Sequence, residues 1–227
     1  MSRSKFLQDT KLAEVGVDHG FGLRCLAEPA GLRRPQQVHG IGVTTAERCE
    51  ASATPEADVV VSQQVGVKVA VATADCMPIL LTGESGRVVV AVHAGWRGIA
   101  GGVIDAAISA LRGRIGESEK IVAAIGPHIG LCCFEVDEPV LQAMSARFSR
   151  VLPEASTPTR PGHVRLDLAR LARDGLIRAG VDLDRIGSQA AACTACDPER
   201  FHSYRRDGPK AGRLFHFIAA VRGFERG

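Results

Sequence analysis

The sequence predicts a single domain of mixed α and β structure with a substantial sheet core. Three observations carry this. Four short β-branched runs follow one another between residues 58 and 93, an apolar face recurs at helical spacing over residues 96–114, and strand and helix patterns keep alternating afterwards. A chain of 227 residues has the length of one domain or two very small ones, and no linker-like stretch is long enough to divide it.

The runs at 58–62 (DVVVS), 67–73 (VKVAVAT), 78–81 and 87–93 (RVVVAVH) suit buried strands, because β-branched side chains fill a pleated surface well. From Trp96 to Arg114, Ile99, Val103, Ile104, Ala107, Ile108 and Leu111 return every three or four residues, which gives one apolar helix face. Residues 120–126 (KIVAAIG) form the next expected strand, followed by a helix over about 138–149. A further helix is expected over about 166–179 with Gly180 as its stop, and late strands at 186–191 and 214–221. Residues 47–57 and 153–162 read as surface loops, since Pro, Ser and Thr interrupt any apolar period there. The pattern alone does not give the topology.

Composition narrows the function. Lys and Arg number 28 against 25 Asp and Glu, a net charge of +3, and there is one Trp and one Tyr for stacking bases. Nucleic-acid binding is therefore disfavoured. No run of about 18 apolar residues spans a membrane, and the opening MSRSKFLQDTKL lacks the apolar stretch of a secretory leader. Seven cysteines in such a chain read as thiols or metal ligands in a reducing compartment, most simply the cytoplasm.

Reactive side chains cluster at the ends of apolar runs: Gln37-Val38-His39-Gly40, Thr73-Ala74-Asp75-Cys76-Met77-Pro78, and His93-Ala94-Gly95-Trp96-Arg97-Gly98. Two imidazoles and a thiolate (His39, Cys76, His93) make a sound zinc donor set with one position left open. Their spacing matches no compact zinc motif, so spacing alone establishes no site and leaves each as an ordinary core or surface residue. The Gly-rich turn carrying Arg97 into a helix suits phosphate, although a solvated Arg explains it too. Cys193-Thr194-Ala195-Cys196 lacks a well-spaced second pair, because Cys132 and Cys133 are adjacent, and reads as a loop packing element. Phe201-His202-Ser203-Tyr204-Arg205-Arg206-Asp207 reads as a substrate-edge loop in which an arginine holds an anion, against the plainer reading of a solvated basic turn.

In this order, QVHG at 37–40, ADCMP at 74–78, HAGWRG at 93–98, GPHI at 126–129, CFEV at 133–136 and SYRR at 203–206 resemble the laccase-domain proteins. These were once labelled multicopper polyphenol oxidases and are now described as zinc-dependent purine nucleoside phosphorylases. The resemblance runs from about Gln37 to the C-terminus. It implies one α/β domain with mixed sheets packed face to face and helices outside, and zinc on His39, Cys76 and His93. It also implies phosphorolysis of adenosine, inosine, guanosine and methylthioadenosine, with adenosine deamination as a second reaction.

Catalytic roles then fall to Asp75, Cys76, His93, Arg97 and His128, with Asp75 or His128 managing a proton. Substrate contacts fall to Gln37, Arg97, Phe134, Tyr204, Arg205 and Arg206. Two departures stand out: the part before Gln37 is shorter than in family members and is expected to leave one pocket wall thinner, and Phe134 replaces the family's Tyr. Competing readings are a copper oxidase, a Cys76-nucleophile amidase and a non-catalytic ligand-binding protein. The oligomeric state, a monomer or a small homo-oligomer, is not legible.

Overall fold

The valine-rich segments enter sheets, because only a sheet covered on both faces buries every residue of such runs. The computed structural model describes residues 6–50 and 54–223. Its elements are α1 (Thr10–Val15), β1 (Asp18–Gly20), β2 (Val43–Thr45), β3 (Val59–Ser62), β4 (Lys68–Thr73), β5 (Met77–Gly83), β6 (Val89–Ala94), α2 (Trp96–Gly101), α3 (Val103–Arg112), β7 (Ile121–Ile125), β8 (Glu135–Asp137), α4 (Glu138–Phe148), β9 (Ser156–Pro158), β10 (His163–Leu166), α5 (Leu168–Arg178), β11 (Ile186–Gly187), α6 (Tyr204–Asp207) and β12 (Leu214–Ala219).

A mixed six-stranded sheet runs β11-β7-β5-β6-β3-β2, parallel at its two outer pairs and antiparallel within. Alternate residues serve opposite faces. Val59, Val61, Ile79, Leu81, Val90, Val92 and Ile125 join the apolar residues of α3, α4 and α5 in one core. Val60, Leu80, Val89, Ala91 and Ala124 meet Val69 and Val71 of β4 and Ile218 of β12 in a second. That second core lies between the large sheet and an antiparallel three-stranded sheet of order β1-β12-β4, so these two sheets pack face to face with helices outside, as expected. A third small antiparallel sheet, β8-β10-β9, extends from the chain after β7.

Two expectations need correction. The helix foreseen over 96–114 is two helices, because Gly102 takes a left-handed φ of 100° and restarts the chain as α3. Arg147 of α4 fills the corner, donating to the carbonyls of Ala100 and Gly101 and pairing with Asp105 at 2.6 Å. The strand foreseen at 186–191 stops at Gly187, since the Gln189 N–H turns to the Asp9 carboxylate (3.0 Å) instead of the ladder. Asp9 also caps α1 through the Lys11 N–H, so one buried carboxylate joins both segments. Of the loop foreseen at 47–57, residues 51–53 lie outside the described residues. Among the described residues, no helix is long and apolar enough to cross a membrane.

Candidate metal centre

Strand order places three chemically distinct side chains at one end of the large sheet. Asp58 immediately precedes β3, which pairs with β6, so the His93 N–H donates to the Asp58 carbonyl at 2.8 Å. The same residue's fully buried carboxylate lies 2.7 Å from His93 Nδ1. It also accepts from the successive N–H groups of Val38 (3.3 Å), His39 (3.0 Å) and Gly40 (2.6 Å). This clamp holds His39 at a left-handed φ of 60° and brings its ring edge-on to His93, with centroids 4.8 Å apart. Cys76 follows Asp75, itself left-handed at φ 86°, in the turn between β4 and β5. Two strained non-glycine residues thus flank the same spot, which is where folds tend to store strain for function.

One donor atom from each of His39, Cys76 and His93 lies within 4.8 Å of the others. With Nδ1 of His93 engaged by Asp58, Nε2 is the nitrogen left to bind, the usual carboxylate–histidine arrangement behind a metal. Gly95 keeps the spot open: a Cβ there would stand 3.2 Å from both Cys76 Sγ and His39 Cδ2. Burial opposes ionisation of Cys76, yet hydrogen bonds and charge from His39 and His93 hold its thiol down to about 6. His93 is pushed up to about 9, against its burial, by Asp58 and Cys76. Asp58, although buried, is held below the usual carboxylate range by His93 and the Gly40 N–H. A borderline-soft divalent cation fits a set that carries thiolate character, two imidazoles and an orienting carboxylate.

The triad lines a cavity of about 580 Å³, a volume suited to a small organic ligand. Gln37, Asp75, Phe134, Tyr204 and Arg205 line it too, as do Arg34, Arg213 and Phe215. Asp75 is buried, its carboxylate accepting from Thr194 Oγ1 (2.5 Å) and the Arg205 N–H (2.6 Å). Gln37 spends its amide on both backbone groups of Ala72, at 2.8 Å each, so it fixes the wall in place. The Arg205 guanidinium donates to the carbonyls of Cys133 and Glu135 and lies 5.6 Å from the Phe134 ring centre.

Three expected site residues are not among those lining the cavity. Arg97 is exposed and stacks on Trp96 at 4.2 Å. Buried His128 bonds the Gly126 carbonyl at 2.8 Å, and burial lowers its pKa. Arg206 holds the carbonyls of Thr194, Ala195 and Phe201 and pairs with Asp207. Sequence reasoning missed Asp58, Thr194, Arg34, Arg213 and Phe215. Only Asp58 carried a signal, a charged residue opening an apolar run, which demands partners once buried.

A family model described as multi-copper polyphenol oxidoreductase laccase matches residues 23–221. A purine nucleoside phosphorylase of Xylella fastidiosa is 39% identical over 183 residues, covering 79% of this chain and 68% of that protein. An adenosine deaminase, RL5, from an unknown prokaryotic organism is 31% identical over 189 residues, covering 80% of this chain and 72% of that one. The crystal structure of YlmD from Geobacillus stearothermophilus superposes with a TM-score of 0.75 at 33% identity, covering 84% of this chain and 74% of that one.

Proposed function

The chain belongs to the multi-copper polyphenol oxidoreductase laccase family, and from that premise we propose that it is a zinc-dependent purine nucleoside phosphorylase with adenosine deamination as a second reaction. The carrying observation is the His39–Cys76–His93 donor set opening into a nucleoside-sized cavity beside the Asp75 carboxylate. Relatives named for both reactions support this reading.

Zinc on His39, Cys76 and His93 would supply Lewis acidity beside the ligand, with one coordination position free. The protein's own groups do the rest. Phe134 offers an apolar face to the purine, with Tyr204 at the cavity edge. Arg205, Arg34 and Arg213 supply positive charge for phosphate, a task the sequence assigned to Arg97 or the 205/206 pair. In phosphorolysis a phosphate oxygen bonds ribose C1′ as the bond to the purine nitrogen breaks. Asp75, with each oxygen already taking one hydrogen bond, is placed to hold a proton or hydrogen bond on the departing base. In deamination water replaces the purine amine, which leaves as ammonia.

Incubating the protein with adenosine and phosphate, and separating adenine, inosine and hypoxanthine, tests the reading. We expect adenine with phosphate, some inosine without it, and a loss of at least ~100-fold in both for His93→Ala. Undiminished turnover in that variant overturns the proposal. The low pKa of Cys76 favours a second reading, a thiolate nucleophile with His39 or His93 as its base. Removal of metal by a chelator abolishes activity on the first reading and leaves it intact on the second. Copper-oxidase chemistry would need many imidazoles in one place, and among the described residues only His39 and His93 share a donor cluster.

A further inference from the structure

We propose that Cys132, Cys133, Cys193 and Cys196 form a second metal site, a structural one, that binds a single zinc ion as a tetrathiolate. It is separate from the His39–Cys76–His93 set and does not depend on the activity assigned to that set.

The fold creates this cluster from two turns. The turn after β7 carries Cys132 and Cys133, and the segment before α6 carries Cys193 and Cys196. Backbone hydrogen bonds between His128 and the chain at Ala192 and Thr194 (3.0 Å each) dock one against the other. All four sulfurs then lie within 4.8 Å of one another, with Cys196 Sγ 3.4 Å from Cys132 Sγ and 3.3 Å from Cys133 Sγ. Sulfurs at the corners of a tetrahedron around zinc, each about 2.3 Å from it, are spaced about 3.8 Å apart. The cluster is already near that size.

Two further features belong to a built site. The Gly130 N–H donates to Cys193 Sγ at 3.3 Å, an interaction that favours a thiolate. Gly130 also leaves the needed room, since a Cβ there would lie 3.2 Å from Cys193 Cβ and 3.4 Å from Cys132 Sγ. Binding balances without a redox partner: four S–H protons pass to solvent as four metal–sulfur bonds form, with no change of oxidation state. Cys132 and Cys196 are exposed, so an ion can enter from solvent.

The ion would fasten the wall that carries the pocket's polar groups. Thr194, between the last two ligands, donates to Asp75. Arg205 reaches the Cys133 carbonyl, and Arg206 the carbonyls of Thr194 and Ala195.

The test measures metal per chain, by mass spectrometry, for three proteins purified under reducing conditions. The unsubstituted protein should hold two zinc equivalents, His39→Ala/His93→Ala one, and Cys193→Ser/Cys196→Ser one. A cysteine variant that keeps the full metal content, or a histidine variant that holds none, overturns the proposal. Should the cysteine variant fail to fold, cobalt loading of the histidine variant decides instead. The intense charge-transfer bands of four-sulfur coordination are expected, and their absence, or disulfides within the cluster in place of metal, rejects it. One equivalent in the unsubstituted protein that survives in the histidine variant upholds this site while removing the other, so the two readings fail separately.

Discussion

At the scale of the residue, Asp58 decides more about the candidate centre than any ligand. Its one carboxylate both fixes the His93 tautomer and holds the turn that presents His39. Asp58→Asn replaces an acceptor oxygen by an N–H₂ group facing backbone donors, so we expect zinc affinity to fall about 10- to 100-fold, measured by competition with a chromogenic chelator. Unaltered affinity would reduce Asp58 to a structural cap. Gly95→Ala tests the same spot sterically, because its methyl would crowd Cys76 Sγ and His39 Cδ2. Metal content should drop while the thermal transition of the metal-free protein stays close to that of the parent. The donor triad could be assembled from its residue types, but resemblance alone singled it out, since gaps of 37 and 17 residues say nothing about which strand ends meet. The four-cysteine cluster was illegible for the same reason, because an adjacent pair and a C-x-x-C match no spacing rule until a tertiary bridge joins them.

At the scale of the element, long uniform runs declared themselves and short mixed ones did not. β3, β4, β6 and β7 are almost wholly apolar and lie where the sequence placed them. The helix residues 103–111 do so too, and Val103, Ile104, Ala107, Ile108 and Leu111 are all buried. β1, β2, β8 and β9 are three-residue strands whose pairing is set by neighbours, so no local period marks them. Leu111 is fully buried against the helix-side core, so Leu111→Ala should cost about 2–5 kcal/mol, read as a lower urea midpoint at unchanged slope. Gly102→Ala should also destabilise, since it places a Cβ at φ 100° against the Arg147 guanidinium.

At the scale of the whole molecule, buried histidines tie stability to pH. His216 is fully buried between the two sheets, where Nδ1 accepts from the Gly22 N–H (3.3 Å) and Nε2 meets Thr73 Oγ1 (2.9 Å). The neutral ring serves both, and burial lowers its pKa to about 3. The unfolded chain, whose imidazole keeps its ordinary value of 6.5, therefore binds the extra proton first. Stability is full above pH 6.5 and declines as pH falls toward 3, by an amount on the order of a few kcal/mol from this residue. His128, also lowered by burial, adds to the same slope. Urea midpoints between pH 7 and 4 should fall in the parent and fall less steeply in His216→Gln; parallel curves would show that carboxylates alone set the slope. The face-to-face arrangement that buries His216 came to the sequence only by resemblance, because strand order lies in long-range register and not in local pattern.

The Asp58 clamp also bears on how the centre is filled. Three backbone donors and one imidazole nitrogen converge on that carboxylate, and none of these four atoms belongs to the donor set, so the seat is held by contacts the protein makes with itself. Capture should then immobilise little new chain, and the amide protons of Val38, His39 and Gly40 should exchange with deuterium at nearly the same slow rate whether zinc is supplied or stripped.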